Sequence, residues 1–368
     1  MRISRVAAIV KKEVRELLRD PISLLTLFLV PVSMMLVFGF GLKLDVKKVP
    51  FAVLDQDNSR LSREVTWQFV SNREYFTFKG SVVSYSDADK LLNSGKVMLV
   101  LVFPPKFEKE ALEKKRAEFQ ALIDGTFPYR AEVVKSYVEA AVAAFNLSRS
   151  HSSLPVEVKP RYWFNESLNQ DRVVAVGTLA VVLMISPAVF AALLIVKEKE
   201  SGSIYNAYTA PITKGEFLVG KLLAGFSISI PNALICLGMV LFIFGVYPKG
   251  SLFLLIVGTL LYLFVATAFG LFMSNFFNSQ AAAFIGTTVL TIVPSILYSG
   301  YLTPLFSMGE SAVVTSHLVP AFYYLKFLKG VFFKGVGLSR LWPQLSALLA
   351  AFSILFGATY LTFKKRER

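Results

Sequence analysis

The sequence predicts an α-helical membrane protein with six transmembrane helices, an N-terminal interfacial helix, and an α/β extracytoplasmic domain inserted between transmembrane helices 1 and 2. Three observations support this prediction. The chain of 368 residues is 54% hydrophobic and only 17% charged, with a mean hydropathy of +0.56, whereas soluble domains carry about 25% charge. Several stretches lack any charged residue over the roughly 20 residues that one crossing needs. A long polar segment separates the first of these stretches from the others.

Residues 1–20 predict a cytoplasmic amphipathic helix that lies on the membrane surface. Apolar residues recur there at helical spacing and basic residues fall on the other faces, a pattern typical of helices bound to anionic lipid. A basic flank that only orients the first span is the alternative. No small-residue cleavage site follows the first apolar run, so we expect that span to be retained. The apolar positions are Ile3, Val6, Val10, Val14 and Leu17, and the basic ones are Arg5, Lys12, Arg15 and Arg19.

Six spans follow from the uncharged stretches. The longest stretch, Gly250–Gly309, exceeds one crossing, and the polar cluster between Ser274 and Gln280 divides it in two. None of the apolar runs contains Asp, Glu, Lys, Arg or His, which disfavours a proton- or sodium-coupled carrier because such carriers commonly bind the ion with ionisable groups at membrane depth. The spans are assigned to residues 21–42 and 173–196 and to four stretches within 222–363.

The distribution of basic residues predicts that both termini are cytoplasmic in a multi-pass protein of the cell (inner) membrane. Basic residues cluster in the N-terminal helix, in the loop 197–221 and in the tail 364–368. Two features fit this topology less well. The linker after Ser274 should be cytoplasmic yet is uncharged, and the outer stretch carries basic residues such as Lys326 and Lys329.

The polar insertion, residues 43–172, predicts a small α/β domain outside the membrane. Strand-like VPFAVL and VMLVLVF alternate with helical stretches after Ser59, Pro105 and Pro128. The segment DQDNS lacks the Gly and Glu of a calcium loop, so we interpret it as a strand end followed by a helix cap. The only cysteine, Cys236, lies in a span, which excludes disulfide chemistry.

Catalytic, metal and nucleotide sites are not expected in this chain. His151 and His317 are far apart in sequence and have no metal-ligand spacing. The segment from Gly215 to Lys221 matches Gly-x-x-x-x-Gly-Lys, but Leu222 stands at the Ser/Thr position and no strand precedes it. We therefore expect no catalytic residue, no bound metal or cofactor, and no nucleic-acid partner.

The loop 197–221 predicts a docking surface for a soluble partner at the cytoplasmic mouth of the membrane domain. It is charged and broken by Gly and Pro, yet it lies between two uncharged runs. A short helix is expected near Ser203–Thr209, capped by Ser201 or Ser203. Tyr205 and Tyr208, three residues apart, would form one aromatic face that fills a groove on the partner. An aromatic pair at the membrane interface is the alternative.

The stretch from Ser299 to Gly337 predicts re-entrant helices that form an outer gate. Gly and Pro break it into short pieces, and such pieces occur at membrane depth only where protein or a water-filled cavity covers the backbone. Interfacial packing of the aromatic residues is the alternative. The candidate gate residues are Ser299, Gly300, Tyr301, Pro304, Pro320, Phe322 and Tyr323.

The order of these segments resembles that of the membrane subunits of ABC-2 type export transporters, and the resemblance covers nearly the whole chain. The loop has the family's Glu-Gly-Ser segment followed by Pro and Gly-Lys, and the outer domain resembles that of the drug-export branch. Tyr205, Asn206 and Tyr208 depart from the acidic residue and Leu more common in the family. The segments that carry the resemblance are GVYPKGS, FGLFMSNFFNSQAAA, YSGYLTPLFSM, LVPAFYYLKFLKGVFFKG, DQDNS, FPPKF, DGTFP and RYWFN.

The resemblance implies the permease subunit of an ATP-driven exporter of hydrophobic or amphipathic compounds such as drugs or lipids. It implies two cytosolic ABC ATPase subunits that bind ATP and Mg, a second permease copy or a paralogue, and contact with membrane lipids. A periplasmic adaptor is a possible further partner. The residues expected to couple the permease to the ATPase are Glu198, Glu200, Gly202, Ser203, Tyr205, Tyr208, Pro211, Gly220 and Lys221.

Two other classes stay open on the residues alone. A membrane-anchored receptor or scaffold would use the external domain for binding and the spans only as anchors. An ion-coupled carrier or channel would work with a gradient and without an ATPase.

Overall fold

The computed structural model describes residues 2–41, 48–114, 117–124, 128–149, 170–302 and 308–363. The chain forms two compact units, one from Met1–Lys43 with Arg161–Arg368 and one from Leu44–Pro160. Several features of the sequence-based predictions lie wholly or partly outside the described residues: Pro304, His151, the DGTFP and RYWFN segments and the basic tail 364–368.

The first unit is helical. Short turns join most of its helices. Its helices are α1 (Ile3–Leu18), α2 (Pro21–Gly41), α7 (Gln170–Glu200), α8 (Ile204–Thr209), α9 (Lys214–Gly238), α10 (Leu252–Met273), α11 (Gln280–Leu297), α12 (Glu310–Ser316), α13 (Pro320–Lys329) and α14 (Leu338–Thr362).

Five of the described helices are long and apolar enough to cross a membrane, namely α7, α9 with its π-helical extension to Ile243, α10, α11 and α14. The expected first span corresponds to α2, whose apolar part, Leu27–Gly41, is shorter than the others. The helix α7 is central: 83% of its apolar window is buried, against 11% for α14. It packs against α2, α9, α10, α11 and α13, whereas α14 packs mainly against α10 and α13.

Hydroxyl side chains fix where several of these helices begin. Ser251 and Ser279 accept hydrogen bonds from backbone N–H groups three residues later and so cap α10 and α11. The polar turn between Ser274 and Ser279 separates these two helices, which confirms the division that the sequence predicts.

The segment after α11 is broken into short helices, as the sequence predicts. Two helices, α12 and α13, are followed by a π-helical turn at Gly330–Lys334. Within this segment, the ring of Tyr324 in α13 stacks on the ring of Tyr262 in α10, with 3.9 Å between the centroids. Their hydroxyls bond to Thr259 and to the carbonyl of Ala180 at 2.9 Å each. Tyr324 thus ties the segment to α10, and Tyr262 ties α10 to α7, both by buried polar contacts.

The N-terminal helix α1 forms where the sequence predicts a helix. Val6 and Leu17 on its apolar face are buried, while Ile3 is exposed. Leu17 packs with Leu27 and Ile228. Part of the apolar face therefore contacts protein, whereas the sequence predicted contact with lipid.

The second unit is an α/β domain, as predicted. Four strands, β1 (Val49–Asp55), β2 (Phe76–Ser81), β3 (Leu99–Phe103) and β4 (Gln120–Ile123), form a sheet of order β2-β1-β3-β4. The strand β1 is parallel to β2 and β3, whereas β4 is antiparallel to β3. The helices are α3 (Arg60–Ser71), α4 (Tyr85–Asn93), α5 (Phe107–Lys114) and α6 (Pro128–Arg149).

The apolar strand segments and the helix cap predicted from the sequence of this domain are present in the structure. Apolar β1 and β3 are buried in the centre of the sheet. Ser59 caps α3 by accepting a hydrogen bond from the Ser62 N–H group. The DQDNS segment is therefore a strand end and a helix cap, as interpreted. The sequence did not predict β2, whose segment FTFKGS is mostly partly or fully exposed.

Candidate coupling interface

The segment between α7 and α9 is shorter than the loop predicted from the sequence. Both helices extend into residues 197–221, so that only Ser201–Thr213 connect them, with α8 in between. The chain turns at Gly202, whose φ of +73° is a conformation that favours glycine. Glu198 and Lys221, predicted within the loop, therefore belong to helices.

The short helix α8 forms near Ser203–Thr209, as predicted, and is held by one buried side chain. Ile204 is 4% exposed and packs in an apolar cluster with Phe217 and Leu218 of α9. Tyr205 is 58% exposed, and the side chain of Tyr208 lies outside the described part. The helix is thus anchored on one side and presents an aromatic residue on the other.

Ser203 does not form the side-chain cap of α8 that the sequence offers as one of two choices. Ser203 occupies the capping position but makes no cap hydrogen bond. Its hydroxyl lies 2.9 Å from that of Ser201 instead. The Ser201 hydroxyl also accepts a hydrogen bond from the Ser203 N–H group at 3.5 Å, so of the two candidates only Ser201 contacts the backbone at the start of α8. Pro211, on the other side of α8, is exposed.

A capping box fixes the start of α9. The Glu216 N–H group donates to Thr213 Oγ1 at 3.2 Å, and the Thr213 N–H group donates to Glu216 Oε2 at 2.9 Å. The same carboxylate accepts a hydrogen bond from the Arg2 N–H group at 2.7 Å and pairs with Arg5 at 3.3 Å. Glu216 therefore joins the start of α1 to the start of α9.

A buried cation lies one helical turn further along α9. Lys221 is fully buried, and its Nζ donates to Glu13 Oε1 at 2.9 Å and to the Leu194 carbonyl at 2.7 Å. It also lies 3.1 Å from Glu198 Oε2. A buried charge is costly unless it is paired. These contacts therefore fix α1, α7 and α9 to one another.

Further ion pairs surround Lys221. Lys12 pairs with both Glu198 and Glu13. Burial alone lowers the pKa of Lys12, but the hydrogen bond to Glu198 and the charges of the two carboxylates outweigh burial and hold that pKa above its usual value. Next to this group, Lys197 lies 3.5 Å from Glu16 and from Asp20.

The end of α7 is also tied to the turn between α10 and α11. Lys199 Nζ donates to the carbonyls of Ser274 and Phe277 at 2.6 and 3.4 Å. Glu200 accepts hydrogen bonds from the backbone N–H and the side-chain amide of Gln280 at 3.0 and 2.7 Å. The four consecutive residues 197–200 thus connect α7 to α1 on one side and to α11 on the other.

Gly220 allows α1 to approach α9 closely. A Cβ atom at this position would lie 2.8 Å from Ile9 Cγ2, which is too close for any side chain. The whole Gly215–Lys221 segment is helical, so it has neither the strand nor the loop of a phosphate site. Within the described residues, no three His, Cys, Asp or Glu side chains could hold a metal ion together.

The predicted outer-gate residues lie at the other end of α7. The Tyr301 hydroxyl is 2.7 Å from Thr178 Oγ1, and its ring rests on Gly177, where a Cβ would come within 2.3 Å of it. Lys329 donates to the Gly300 carbonyl at 3.1 Å. Ser299 and Phe322 are buried, Pro320 begins α13, and Tyr323 donates to the His317 carbonyl at 3.0 Å.

Among the described residues, both groups of predicted residues contact α7, through Tyr301 with Thr178 and through Lys221 with Glu198. Thr178 and Glu198 are twenty positions apart on this helix, which corresponds to about 30 Å. The helix α7 is the most buried of the described spans, and Pro187 lies between these two positions.

Several residues of this site were not found by sequence reasoning. Glu13 is the clearest case. It falls among Val6, Val10 and Leu17 on the apolar face of α1, and a carboxylate on such a face indicates a buried cationic partner. Thr178, Tyr262 and Tyr324 carried no comparable signal, because hydroxyl groups are common in apolar helices.

The five membrane-length helices found among the described residues, together with an inserted α/β unit, define a multi-pass helical membrane protein. The chain belongs to the ABC-2 family of transporter proteins, whose family model matches residues 21–361. The resemblance recognised in the sequence is therefore confirmed.

Three relatives from Escherichia coli K12 match the chain over nearly its full length. The probable multidrug ABC transporter permease YbhS is 26% identical over 371 residues, which cover 98% of this chain and 97% of the relative. The probable multidrug ABC transporter permease YbhR is 25% identical over 365 residues, or 98% and 99% of the two chains. The inner membrane transport permease YhhJ is 25% identical over 374 residues, or 96% and 95%.

Proposed function

We propose that this chain is the permease subunit of an ATP-driven exporter that moves hydrophobic or amphipathic compounds out across the inner membrane. Family membership and the multidrug permease relatives support the transporter class. ATP hydrolysis takes place in separate cytosolic subunits that bind ATP and Mg, while this chain provides the pathway.

The observation that best supports the proposal is the way in which α8 is attached to the helices beside it. Ile204 anchors α8 to α9, and Tyr205 stays exposed. The residues directly before α8 are paired with α1 and α11. A partner that pushes on α8 therefore moves α7, α9 and their neighbours together, as ATPase coupling requires.

In the proposed topology α2 is the first of six spans and is added to the five helices already named as long enough to cross a membrane. Its 21 residues correspond to about 30 Å, the thickness of the hydrocarbon core. With six spans both termini are cytoplasmic and the α/β unit is outside. The basic residues of the N-terminus support this orientation.

The proposed partners are two ATPase subunits beneath the membrane and a second permease, either a copy or a paralogue. Only 22% of the apolar window of α11 and 11% of that of α14 are buried within the chain. These helices therefore have ample surface for a second permease and for lipid. A periplasmic adaptor on the external domain is proposed by family resemblance alone.

The test is affinity purification in mild detergent from the native host, with mass spectrometry of the bound proteins. We expect a soluble ATPase with a complete phosphate loop. The variant Gly202→Pro, which removes the left-handed turn before α8, should lose it, whereas Gly245→Ala, at another glycine with φ of +62°, should retain it. Recovery of the chain alone even after cross-linking would overturn the proposal and favour an anchored receptor or an ion-coupled carrier.

A further inference from the structure

Three neighbouring helices of the membrane unit carry a proline in their interior: Pro31 in α2, Pro187 in α7 and Pro231 in α9. A proline has no N–H group, and its ring displaces the carbonyl four residues earlier. Each helix therefore loses a hydrogen bond there and bends more easily than elsewhere. We propose that the three prolines lie at one depth and form a hinge, at which the inner halves of α2, α7 and α9 tilt together against the outer halves. Here the inner end is the end of α7 and α9 that adjoins α8.

A buried polar contact joins the prolines of α7 and α9. The side-chain amide of Asn232 donates to Ser186 Oγ at 3.0 Å. Asn232 directly follows Pro231 in the chain, and Ser186 directly precedes Pro187. Asn232 is fully buried, and a buried amide is costly unless it is hydrogen-bonded. The contact therefore holds α7 and α9 in register at the level where both backbones are weakened.

The contacts of α2 place its proline at the same depth. Leu27 packs with Ile228 of α9. These two residues lie about one turn before Pro31 and Pro231, on the inner side of each. Pro31 also borders the same cavity as Ser186 of α7. The proline of α2 is thus level with the polar contact between α7 and α9.

The inner halves of the three helices are tied to one another. Lys221 of α9 donates to Glu13 of α1 and to the Leu194 carbonyl of α7. Leu17 of α1 packs in turn with Leu27 of α2. All of these contacts that involve α2, α7 or α9 lie on the inner side of the prolines. A tilt of one inner half therefore moves the other two with it.

The helix α10 supports α7 on the outer side and at the hinge. On the outer side, the Tyr262 hydroxyl donates to the Ala180 carbonyl at 2.9 Å. At the hinge the two backbones touch, because a Cβ atom at Gly270 would overlap the carbonyl oxygen of Ala188, the residue after Pro187. The sequence of α10 contains no proline. It is therefore an uninterrupted helix against which α7 bends.

The test measures the bending of α7 in the full chain in lipid nanodiscs, without any ATPase. Spin labels are attached at Asp171→Cys and Ser201→Cys, exposed positions near the two ends of α7 and about 45 Å apart along it. The only native cysteine is removed by Cys236→Ala. Double electron–electron resonance then gives the distribution of distances between the labels. We expect a broad distribution that becomes roughly twofold narrower in Pro187→Ala, because alanine restores the missing hydrogen bond.

Variants outside α7 test whether the inner halves tilt together. The double variant Pro31→Ala with Pro231→Ala should also narrow the distribution measured on α7, since the inner halves of α2 and α9 are tied to that of α7. Pro294→Ala is the matched control. It removes a proline near the outer end of α11, away from the hinge, and should leave the distribution on α7 unchanged.

Asn232→Leu tests the polar contact between α7 and α9. Labels at Asp171→Cys and Phe242→Cys report the distance between the outer halves of these two helices. We expect this distribution to be narrow when the contact is present and to broaden in Asn232→Leu, because the two helices then bend independently. Ser186→Ala removes the same contact from the α7 side and decides if Asn232→Leu does not elute as a folded species.

Equal widths on α7 with Pro187 and with Pro187→Ala would overturn the hinge. So would an effect of Pro294→Ala as large as that of Pro187→Ala. An unchanged distribution on α7 in the double variant would show that the three helices do not tilt together, which also overturns the proposal. That an ATPase drives the hinge rests on the proposed function, whereas the hinge itself does not. Since no ATPase is present, a negative result here leaves the proposed coupling function standing, and loss of ATPase capture leaves the hinge standing.

Discussion

Lys221 Nζ lies 2.9 Å from Glu13 Oε1, although 208 positions separate the two residues. The contact fixes the N-terminal helix against the start of α9, directly after the segment that contains α8. Lys221 is fully buried, so it does not itself offer a surface to a partner. In the proposed coupling mechanism, its role is to hold together α1, α7 and α9, the helices that a partner would move.

Lys221→Met tests this contact. The substitution leaves Glu13 and Glu198 buried next to only one remaining cation, Lys12. Removing one partner of a buried ion pair typically costs about 3–5 kcal/mol, so the thermal unfolding temperature of the chain in detergent should fall clearly. The triple variant Lys221→Met, Glu13→Gln, Glu198→Gln removes the unpaired charges and should recover much of the loss. If Lys221→Met alone unfolds at the wild-type temperature, these charges do not hold α1 in place.

Tyr205→Ala and Ile204→Ala, at adjacent positions of α8, should have different effects. Tyr205 is exposed, so its loss should reduce ATPase recovery about tenfold and leave the unfolding temperature unchanged. Ile204 is buried, and replacing it by Ala should lower stability by about 2–5 kcal/mol as well as ATPase recovery. Both are read by quantitative co-purification and thermal unfolding.

The matched control for Tyr205→Ala is Tyr247→Ala, because Tyr247 is similarly exposed, at 65%, and lies outside α8. Equal ATPase recovery from Tyr205→Ala and Tyr247→Ala would contradict a docking role for Tyr205.

The sequence predicts the features that depend on residues close together in the chain, and it does not predict contacts between residues far apart. Uncharged runs and polar turns are local signals, and they located α7, α9, α10, α11 and α14. Buried strands and the Ser59 cap are equally local. The contacts of Lys221 join residues far apart in the chain, and no local pattern specifies such pairs. The length of the charged loop was overestimated. Helices α7 and α9 continue past their apolar runs because the charged side chains at their ends are paired inside the protein.

Gly220→Leu should detach α1 from α9. Its Cβ alone would lie 2.8 Å from Ile9 Cγ2, so the helices must separate and the Lys221 contacts weaken. We expect faster proteolysis of the N-terminal helix and a lower unfolding temperature. The second-site change Ile9→Ala makes room and should restore part of both. Gly238→Leu, at a helical position where a Cβ meets nothing within 4 Å, is the control. Comparable damage from both glycine variants would indicate a general effect of leucine.

Tyr301→Phe tests the contact at the opposite end of α7. The Tyr301 hydroxyl lies 2.7 Å from Thr178 Oγ1, and Thr178 is buried. The Thr178 hydroxyl also bonds to the Val174 carbonyl at 2.9 Å, so it keeps one partner in the variant. The loss of stability should therefore be modest, about 1 kcal/mol, and the chain should still capture the ATPase because α8 is untouched.

If this contact holds the outer segment closed, ATP-dependent transport in proteoliposomes should change while ATPase capture does not. Thr178→Val removes the same contact from the α7 side and should reproduce the effect. A transport defect in only one of the two variants would show that the contact itself is not responsible.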